Sequence, residues 1–330
     1  NLLRSGIDSI ASYALRNQVA PGLQVLIARN GKIVYHKTYG YHTYDSLLEV
    51  SKIDLYDFAS VTKITTSLLA IMKMHDGNKI DLDGKLGDYF PFFSRGNKKD
   101  LTFRRLLTHT AGLQAWIPFW KTTLRKNGKY KHKTLSSDST AMYSIKLTEH
   151  LYEYKNYKEK IYKMIRNSPV KPLQGYVYSD MSFYLYPEIV ERLTSKPWES
   201  FLKDTFYRPL GANTLTFNPT RFFPLEQIIP TENDTFFRMI QLHGIVHDEG
   251  AAMMGGVSGH AGLFGTANDL AKLMQMYLNG GRYGNQQFIS EATIKKFEIC
   301  QYCNEGVRRA IGFDRPMPGH PADGTCARDA

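Results

Sequence analysis

The chain carries the stretch SVTKITTSLL at residues 60–69. Positions i and i+3 of a helix share one face with Cβ atoms about 5–6 Å apart, so the Lys63 amine can reach the Ser60 hydroxyl. Apolar side chains recur at helical spacing, which predicts a buried helix; they are Ile64, Leu68, Leu69, Ile71 and Met72. Burial disfavours a charged ammonium, so we expect part of this amine to be neutral and able to act as a base. The stretch therefore predicts an acylating serine hydrolase.

The Ser-x-x-Lys pattern also has a purely structural interpretation. Serine often caps a helix, and a lysine three residues later is often solvated. The surroundings of Ser60 favour catalysis, because residues 64–69 are uncharged and a solvated lysine more often lies among other charges. Downstream, the run Tyr178-Ser179-Asp180 supplies a phenol that can serve as a second proton carrier.

Four motifs follow one another along most of the chain. They lie at residues 60–63, 106–113 (LLTHTAGL), 178–180 and 259–270 (GHAGLFGTANDL). In order and spacing they resemble the serine β-lactamase and penicillin-binding-protein superfamily, in particular its class C-like and esterase-like branches. The resemblance implies an α+β fold of the β-lactamase/transpeptidase type, in which an antiparallel sheet flanked by helices is joined to a mainly helical lobe.

The resemblance also implies roles for individual residues. Ser60 would be the acylated nucleophile, Lys63 its activating amine and Tyr178 the partner acid or base. The backbone N–H of Ser60, at a helix N-terminus, would form half of an oxyanion hole. Other polar residues near the motifs are candidates for substrate binding or for the wall of the site; they are His109, Asp180, His247, Asp248, His260 and Gly262.

Two of these candidates have structural alternatives. Asp180 stands where the superfamily usually has asparagine, and an anion near Lys63 would favour its protonated form and oppose its role as a base. Asp180 could instead be the N-cap of a helix running from Met181 towards Leu193. His109 lies in a turn, where a structural hydrogen bond is favoured over catalysis.

The superfamily's third motif, a Lys- or His-Thr-Gly on an edge strand, does not follow Gly312 and Phe313. The run at 260–262 resembles it superficially, but we expect it to precede a helix capped by Thr266 and Asp269 rather than an inner strand. The resemblance therefore implies that the C-terminal strands, a second oxyanion donor and a substrate-carboxylate contact lie outside these 330 residues. Activity can depend on them, so the chain alone can be inactive.

Composition is that of an ordinary globular protein, with 42% hydrophobic and 22% charged residues. No run of about 18 uncharged apolar residues predicts a membrane span, and residues 1–4 lack the pattern of a secretory signal. The resemblance implies a location in the bacterial cell envelope, periplasmic or extracellular. Modules of this type also occur fused behind a family 3 glycoside hydrolase domain, which is thus an expected partner.

The formal net charge of +11 is concentrated in one segment. Residues 121–171 carry thirteen Lys and Arg against four Asp and Glu. Aromatic residues lie among the lysines at 126–133, but no nucleic-acid-binding motif accompanies them, so we expect no nucleic-acid partner. We predict a mobile, basic rim on the site that attracts an acidic polymer such as a carboxylate-bearing cell-wall glycan.

The spacing of the cysteines and histidines does not favour a metal site. The C-x-x-C spacing of Cys300 and Cys303 allows a redox or zinc role, but without a second pair we favour structural cysteines with at most one internal disulfide; Cys326 is the third. His243 and His247 lie four apart, but Gly244 weakens a helix there and the glutamate of a zinc-protease helix is missing. A polar site wall is favoured, with no metal and no other cofactor.

Local patterns outline the architecture. They predict an amphipathic helix over 1–20, strands at 22–29 and 32–36 joined by an Asn30-Gly31 turn, and a helix over 269–278. Residues from about 65 to 255 are expected to be mainly helical with long loops. We predict a sheet-containing lobe formed by 1–64 and 256–330, incomplete at its C-terminus, and a helical lobe formed by 65–255 with a basic insertion at 121–171.

The predicted function is hydrolysis through an acyl-enzyme. The superfamily resemblance and the basic rim favour amide bonds of β-lactams or peptidoglycan peptides, cleaved by a β-lactamase-like, D,D-peptidase-like or muramoyl-peptide amidase-like activity. A carboxylesterase acting on small esters is an alternative, because esters demand less protonation of the leaving group. A second alternative is a non-catalytic module that binds cell-wall peptide or penicillin.

Overall fold

The computed structural model of the protein describes residues 2–172 and 175–315. It begins with helix α1 (Leu2–Arg16) and an antiparallel hairpin of β1 (Gly22–Arg29) and β2 (Lys32–Gly40). Asn30 and Gly31 both adopt left-handed backbone conformations, with φ of 52° and 71°, as this two-residue turn requires. The predicted helix, turn and strands are confirmed, although the helix ends earlier and the second strand continues further.

The stretch around Ser60 leads into the core of the molecule. After the short strand β3 (Tyr56–Asp57), the chain forms a 3-10 turn at Ala59–Val61 and a π-helical turn at Lys63–Ser67, then helix α2 (Leu68–Asp76). Residues 68–72 have no exposed surface. The predicted buried helix is thus confirmed, and the π-helical turn that leads into it is wider than an α-helix, a geometry often found at functional sites.

The basic segment 121–171 contains regular structure that the sequence did not predict. After the short helices α3 (Leu86–Tyr89) and α4 (Phe103–Leu107), it forms a three-stranded antiparallel sheet in the order β4–β6–β5. The strands are β4 (Leu135–Ser136), β5 (Tyr143–Thr148) and β6 (Leu151–Tyr154), followed by helix α5 (Tyr157–Asn167). Helix α5 buries its apolar face through Tyr157, Ile161, Tyr162 and Ile165, so this part of the segment packs against the core, and the mobile, basic rim stays a prediction.

The helix expected directly after Asp180 begins later. Residues 181–185 form turns, and α6 runs over Tyr186–Thr194 with a proline in its first turn, where a missing N–H is tolerated. The N-cap is Leu185, so the interpretation of Asp180 as a helix cap is wrong. The Asp180 carboxylate forms an ion pair with Lys63 instead. Helix α7 (Trp198–Leu202) and a second π-helical turn at Lys203–Tyr207 follow.

A third sheet joins distant parts of the chain beside Ser60. Strand β7 (Thr216–Phe217) precedes helix α8 (Glu249–Ala252) and strand β8 (Leu263–Gly265). The antiparallel order is β3–β8–β7, so β8 is the central strand. The expectation that residues 260–262 do not lead into a strand is therefore wrong: Leu263 and Phe264 are buried apolar residues in a strand that pairs on both edges.

The remaining described chain closes the core. The N-cap of helix α9 (Ala267–Leu278) is Thr266, whose hydroxyl accepts a hydrogen bond from the Asp269 N–H at 3.3 Å. This confirms the predicted capped helix. The hairpin of β9 (Arg282–Tyr283) and β10 (Gln286–Gln287) and helix α10 (Glu291–Glu298) follow.

Cys300 and Cys303 form a disulfide, a pairing that their spacing allowed. Cys326, and the part of the predicted sheet-containing lobe beyond residue 315, lie outside the described residues. The lobe boundaries themselves stay a prediction. Within the described ranges, no helix combines the length and the apolar character that crossing a bilayer requires.

Candidate active site

Ser60 and Lys63 meet as their spacing predicted. The Lys63 amine donates a hydrogen bond to the Ser60 hydroxyl oxygen, with 2.8 Å between Nζ and Oγ. Ser60 is exposed, whereas Lys63 is buried. Ala59, the residue before Ser60, has a φ of 43°, a conformation that is strained for a residue with a Cβ atom. The arrangement offers an accessible nucleophile with a shielded amine directly behind it.

Asp57 holds the strained turn before Ser60 in place. One oxygen of its carboxylate accepts a hydrogen bond from the Ala59 N–H at 2.8 Å, and the other accepts one from the His247 N–H at 2.7 Å. Burial raises the pKa of Asp57, and the nearby charge of Asp248 acts in the same direction against these two hydrogen bonds. Asp57 was not singled out from the sequence, because its partner 190 positions away becomes visible only in the fold.

The Lys63 amine has three oxygen neighbours. Besides Ser60, it donates a hydrogen bond to the His260 carbonyl oxygen at 3.2 Å and forms an ion pair with Asp180, with 2.7 Å between Nζ and Oδ1. The ion pair is close in distance but lacks hydrogen-bond geometry at Oδ1. The amine is thus surrounded by a hydroxyl, a carbonyl and a carboxylate oxygen, which fix its position next to Ser60.

Tyr178 lies beside the amine through its ring. The ring centroid is 5.0 Å from Lys63 Nζ and 4.6 Å from the centre of the His109 imidazole. The side chain is partly exposed, and within the described residues its hydroxyl makes no hydrogen bond to Ser60 or Lys63. The phenol is thus near the predicted centre, but a substrate or a water molecule would have to connect it to the nucleophile.

His109 packs against the segment that carries Tyr178. Its Nδ1 accepts a hydrogen bond from the Ser179 N–H at 3.0 Å, and its ring stacks on Phe183 with centroids 5.7 Å apart. Burial, reinforced by the charges of Arg309 and Lys63, holds the pKa of His109 well below its ordinary value, so the ring is neutral. The contact is of the structural kind that its position in a turn favoured.

His260 and Asp248 form a second polar pair behind the amine. The His260 Nε2 lies 2.8 Å from Asp248 Oδ1, its Nδ1 lies 2.8 Å from Ser258 Oγ, and its ring stacks on Tyr184 at 4.1 Å. Burial alone would raise the pKa of Asp248, but the His260 charge and hydrogen bond and the Ala251 N–H outweigh it and lower the pKa. The pair fixes the orientation of the segment whose carbonyl oxygen holds Lys63.

The other candidates take more distant positions. The imidazole of His247 pairs with Glu232 at 3.0 Å and contributes to the site through its backbone only. His243 bonds to the Ile228 carbonyl oxygen at 2.7 Å. In the described residues, no group of three His, Cys, Asp or Glu side chains is placed to hold a metal ion.

Gly262 lies where the chain enters β8. Its φ is 103°, and a Cβ atom there would come 2.8 Å from the Gly256 carbonyl oxygen. Glycine is therefore required by both the backbone conformation and the space. Two hydrogen bonds tie this segment to the Ser60 helix: Ser67 Oγ donates to the Gly259 carbonyl oxygen at 2.7 Å, and Thr62 Oγ1 accepts from the Leu263 N–H at 3.2 Å.

An aromatic cavity of about 530 Å³ opens next to Asp180. Its lining includes Trp116, Trp120, Tyr184, Phe236 and the carboxyl groups of Asp248 and Glu249. Burial raises the pKa of Tyr184 well above its ordinary value, and the charges of Asp248, Asp180 and Glu249 add to this, so the phenol is neutral. The sequence offered a signal that was missed, since two of the three tryptophans of the chain lie four positions apart just after the motif at 106–113.

Comparison with known proteins agrees with this geometry. A sequence model of the Beta-lactamase family matches residues 7–323. An Escherichia coli (strain K12) protein named a D-alanyl-D-alanine carboxypeptidase is 33% identical over 304 residues, which cover 84% of this chain and 64% of that protein. The chain thus spans less than two thirds of the length of this curated relative.

Solved structures show the same fold. An octameric penicillin-binding-protein homologue from Pyrococcus abyssi superposes with a TM-score of 0.65 at 20% identity, covering 90% of this chain and 60% of that one. A β-lactamase/D-alanine carboxypeptidase from Pseudomonas syringae gives a TM-score of 0.64 at 16% identity, covering 91% and 71%. The predicted α+β fold of the β-lactamase/transpeptidase type is confirmed. With a matching family model over nearly its whole length and a relative of 33% identity, the chain belongs to the Beta-lactamase family.

Proposed function

We propose that the chain carries the acylating centre of a serine hydrolase that cleaves amide bonds of β-lactams or of D-alanyl peptides. The observation on which the proposal rests is the hydrogen bond from the buried Lys63 amine to the exposed Ser60 hydroxyl. The name of the Escherichia coli relative, a D-alanyl-D-alanine carboxypeptidase, supports the peptide substrate. Ser60 is the nucleophile, Lys63 its base and Tyr178 the proton donor to the leaving group.

The reaction begins with a neutral Lys63 amine, whose additional proton has passed to bulk water. Ser60 Oγ then attacks the carbonyl carbon while its proton passes to Lys63, and the backbone N–H of Ser60 stabilises the oxyanion. The carbon–nitrogen bond breaks as Tyr178 protonates the leaving nitrogen, and Lys63 returns the proton to Tyr178. A water molecule releases the acyl group by the same steps in reverse.

Ester hydrolysis is the second candidate function, and the position of Tyr178 favours it. Its hydroxyl has no hydrogen bond to Ser60 or Lys63 within the described residues. An alkoxide leaves with less need for protonation than an amine does, so esters tolerate a distant proton donor better. The aromatic cavity beside Asp180 would hold the acyl side chain of either kind of substrate.

A labelling experiment tests the nucleophile. The full-length protein is treated with a fluorescent penicillin and with a fluorophosphonate probe, in wild-type form and as Ser60→Ala. Covalent labelling of the wild type alone supports the proposal, whereas equal labelling of both forms refutes Ser60 as the nucleophile. Reversible binding without labelling or turnover would favour a non-catalytic module. Nitrocefin, p-nitrophenyl acetate and a D-alanyl-D-alanine peptide then separate the substrate classes.

The proposed substrates suggest where the protein acts. A D-alanyl peptide of the cell wall is met in the bacterial envelope, so we propose a periplasmic or extracellular location. A fused glycoside hydrolase domain would place the site next to the glycan that carries such peptides. Protease accessibility of the protein in intact and permeabilised cells would test the location.

A further inference from the structure

The basic segment forms one side of a groove of about 730 Å³. Four basic side chains line it, and among its lining residues, all of them described, there is no aspartate or glutamate. The basic residues are Lys131, His132, Lys160 and Lys163. Apolar side chains also line it, namely Ile117, Met164 and Pro169. The groove therefore combines cationic and apolar contacts.

The positive charge of this groove is not neutralised from within the segment. Of the four acids between residues 121 and 171, Glu149 pairs with Lys146 outside the groove. Burial raises the pKa of Glu153 well above its ordinary value, which disfavours its charged form. Burial and the neighbouring charge of Lys133 lower the pKa of Lys160, as expected where cations crowd together without an anion.

The groove and the candidate active site share a wall. Ile117 lines both the groove and the aromatic cavity, and Gln114 lines the groove. On the other side of this wall, the Gln114 carbonyl oxygen accepts a hydrogen bond from Ser179 Oγ at 2.7 Å. The Ala115 carbonyl oxygen accepts one from the Asp180 N–H at 2.9 Å. A ligand that fills the cavity beside Asp180 can thus continue over Ile117 into the groove.

We propose that this groove binds a carboxylate-bearing peptide extension of the substrate whose scissile bond lies at Ser60. The inference rests on the proposed hydrolase function and names the substrate class as an acyl donor with several carboxylates beyond its acyl side chain. Lysines together with apolar side chains suit such a peptide, which carries both carboxylates and apolar atoms. The groove offers no arginine, the residue whose planar fork suits phosphate in two-point contact, so a phosphate backbone is a poorer match.

Two charge-matched double variants test the groove. Lys131→Gln/Lys163→Gln removes two lysines that line it, and Lys126→Gln/Lys129→Gln removes two exposed lysines of the same segment that do not. Binding of a fluorescein-labelled hexaglutamate peptide is measured by anisotropy at low salt. We expect the first variant to bind about three- to tenfold more weakly and the second less than twofold. Equal weakening in both variants, or in neither, would overturn the proposal.

Two controls keep the outcomes distinct. Lys131 Nζ also donates a hydrogen bond to the Thr122 carbonyl oxygen at 2.8 Å, so the thermal unfolding of each variant is compared with that of the wild type. The single variant Lys163→Gln removes a lysine without such a contact and is measured as well. Ser60→Ala should bind the peptide like the wild type. A failure of the hydrolase proposal alone therefore appears as a wild type that still binds hexaglutamate but is not labelled covalently, or is labelled no more than Ser60→Ala. If a single-stranded oligonucleotide or a phosphatidylglycerol vesicle depends on Lys131 and Lys163 more than hexaglutamate does, the carboxylate assignment is wrong.

The same variants test whether the groove contributes to turnover of a carboxylate-bearing substrate. An acetyl-D-alanyl-D-alanine peptide is compared with the same peptide carrying a triglutamate extension. The extended peptide should have the higher kcat/KM in the wild type and in Lys126→Gln/Lys129→Gln, and this preference should disappear in Lys131→Gln/Lys163→Gln and at high salt. A preference that survives in the groove variant would contradict the proposal.

Discussion

The Asp180 carboxylate lies 2.7 Å from the Lys63 amine, although the two residues are 117 positions apart in the sequence. The sequence has aspartate at this position, where the superfamily usually has asparagine. The structure places its carboxylate directly beside the amine that we propose as the base for Ser60. Exchanging the carboxylate for the usual amide therefore tests whether this anion limits acylation.

Asp180→Asn should accelerate acylation at neutral pH. An anion beside an amine opposes the role of that amine as a base, so replacing it by a neutral amide should raise the rate at pH 7 by about tenfold. The rate is measured by labelling with a fluorescent penicillin across the pH range. A uniform loss of rate at every pH would instead assign the carboxylate a positioning role.

Lys63→Met should remove acylation while leaving the protein folded. General-base catalysis contributes at least about a hundredfold, so labelling should fall by that factor or more. The matched control is Lys98→Met, because Lys98 is also buried but hydrogen-bonds to the carbonyl oxygens of Arg166 and Ser168 outside the site. Undiminished labelling of Lys63→Met, or equal loss in both variants, would contradict the assignment of Lys63 as the base.

His109 should make the folded state sensitive to acid. Its pKa is held well below 6.5 in the folded protein, so the unfolded chain takes up a proton on this ring first as the pH falls. The contribution of His109 to the free energy of unfolding is complete above about pH 6.5. Below that pH it should decline by up to about 1.4 kcal/mol per pH unit. Urea unfolding of wild type and His109→Gln at pH 8, 6.5 and 5 measures the difference. Parallel pH profiles for the two proteins would refute this prediction.

Gly250→Ala and Gly6→Ala should have opposite effects on stability. A Cβ atom at Gly250 would lie 1.8 Å from the Tyr184 hydroxyl, so the buried ring must shift, which we expect to lower the free energy of unfolding by about 1–3 kcal/mol. Gly6 lies inside α1 with no neighbour within 4 Å of the added atom, so alanine should raise it by about 0.5–1 kcal/mol. Chemical denaturation of both variants tests the pair, and a neutral Gly250→Ala would show that the aromatic cavity tolerates movement of Tyr184.

Local sequence patterns predicted the parts of the structure that depend on nearby residues. The Asn30-Gly31 turn, the contact of Ser60 with Lys63 and the capped helix α9 all arise within a few positions of the chain. Such features follow from backbone preference and helical spacing. The order of the motifs also predicted the fold, because it matches a family whose architecture is known.

The parts that could not be predicted depend on contacts between distant residues. Helix capping and the ion pair with Lys63 compete for the Asp180 carboxylate, and only the folded chain decides between them. The sheet at 135–154 was missed because β5 and β6 are short and interrupted by register shifts, so their alternation is weak. The aromatic cavity combines residues from segments near 116, 184, 236 and 249, which no local pattern relates.

The left-handed conformation of Ala59 has a consequence for how this protein can change over generations. The residue before the nucleophile stores strain of about 1–2 kcal/mol that a glycine would relieve. Selection for heat resistance alone should therefore favour Ala59→Gly, whereas selection for turnover should retain alanine if the stiffer turn keeps Ser60 presented. Lineages of this chain under the two pressures would diverge first at a position that touches no substrate.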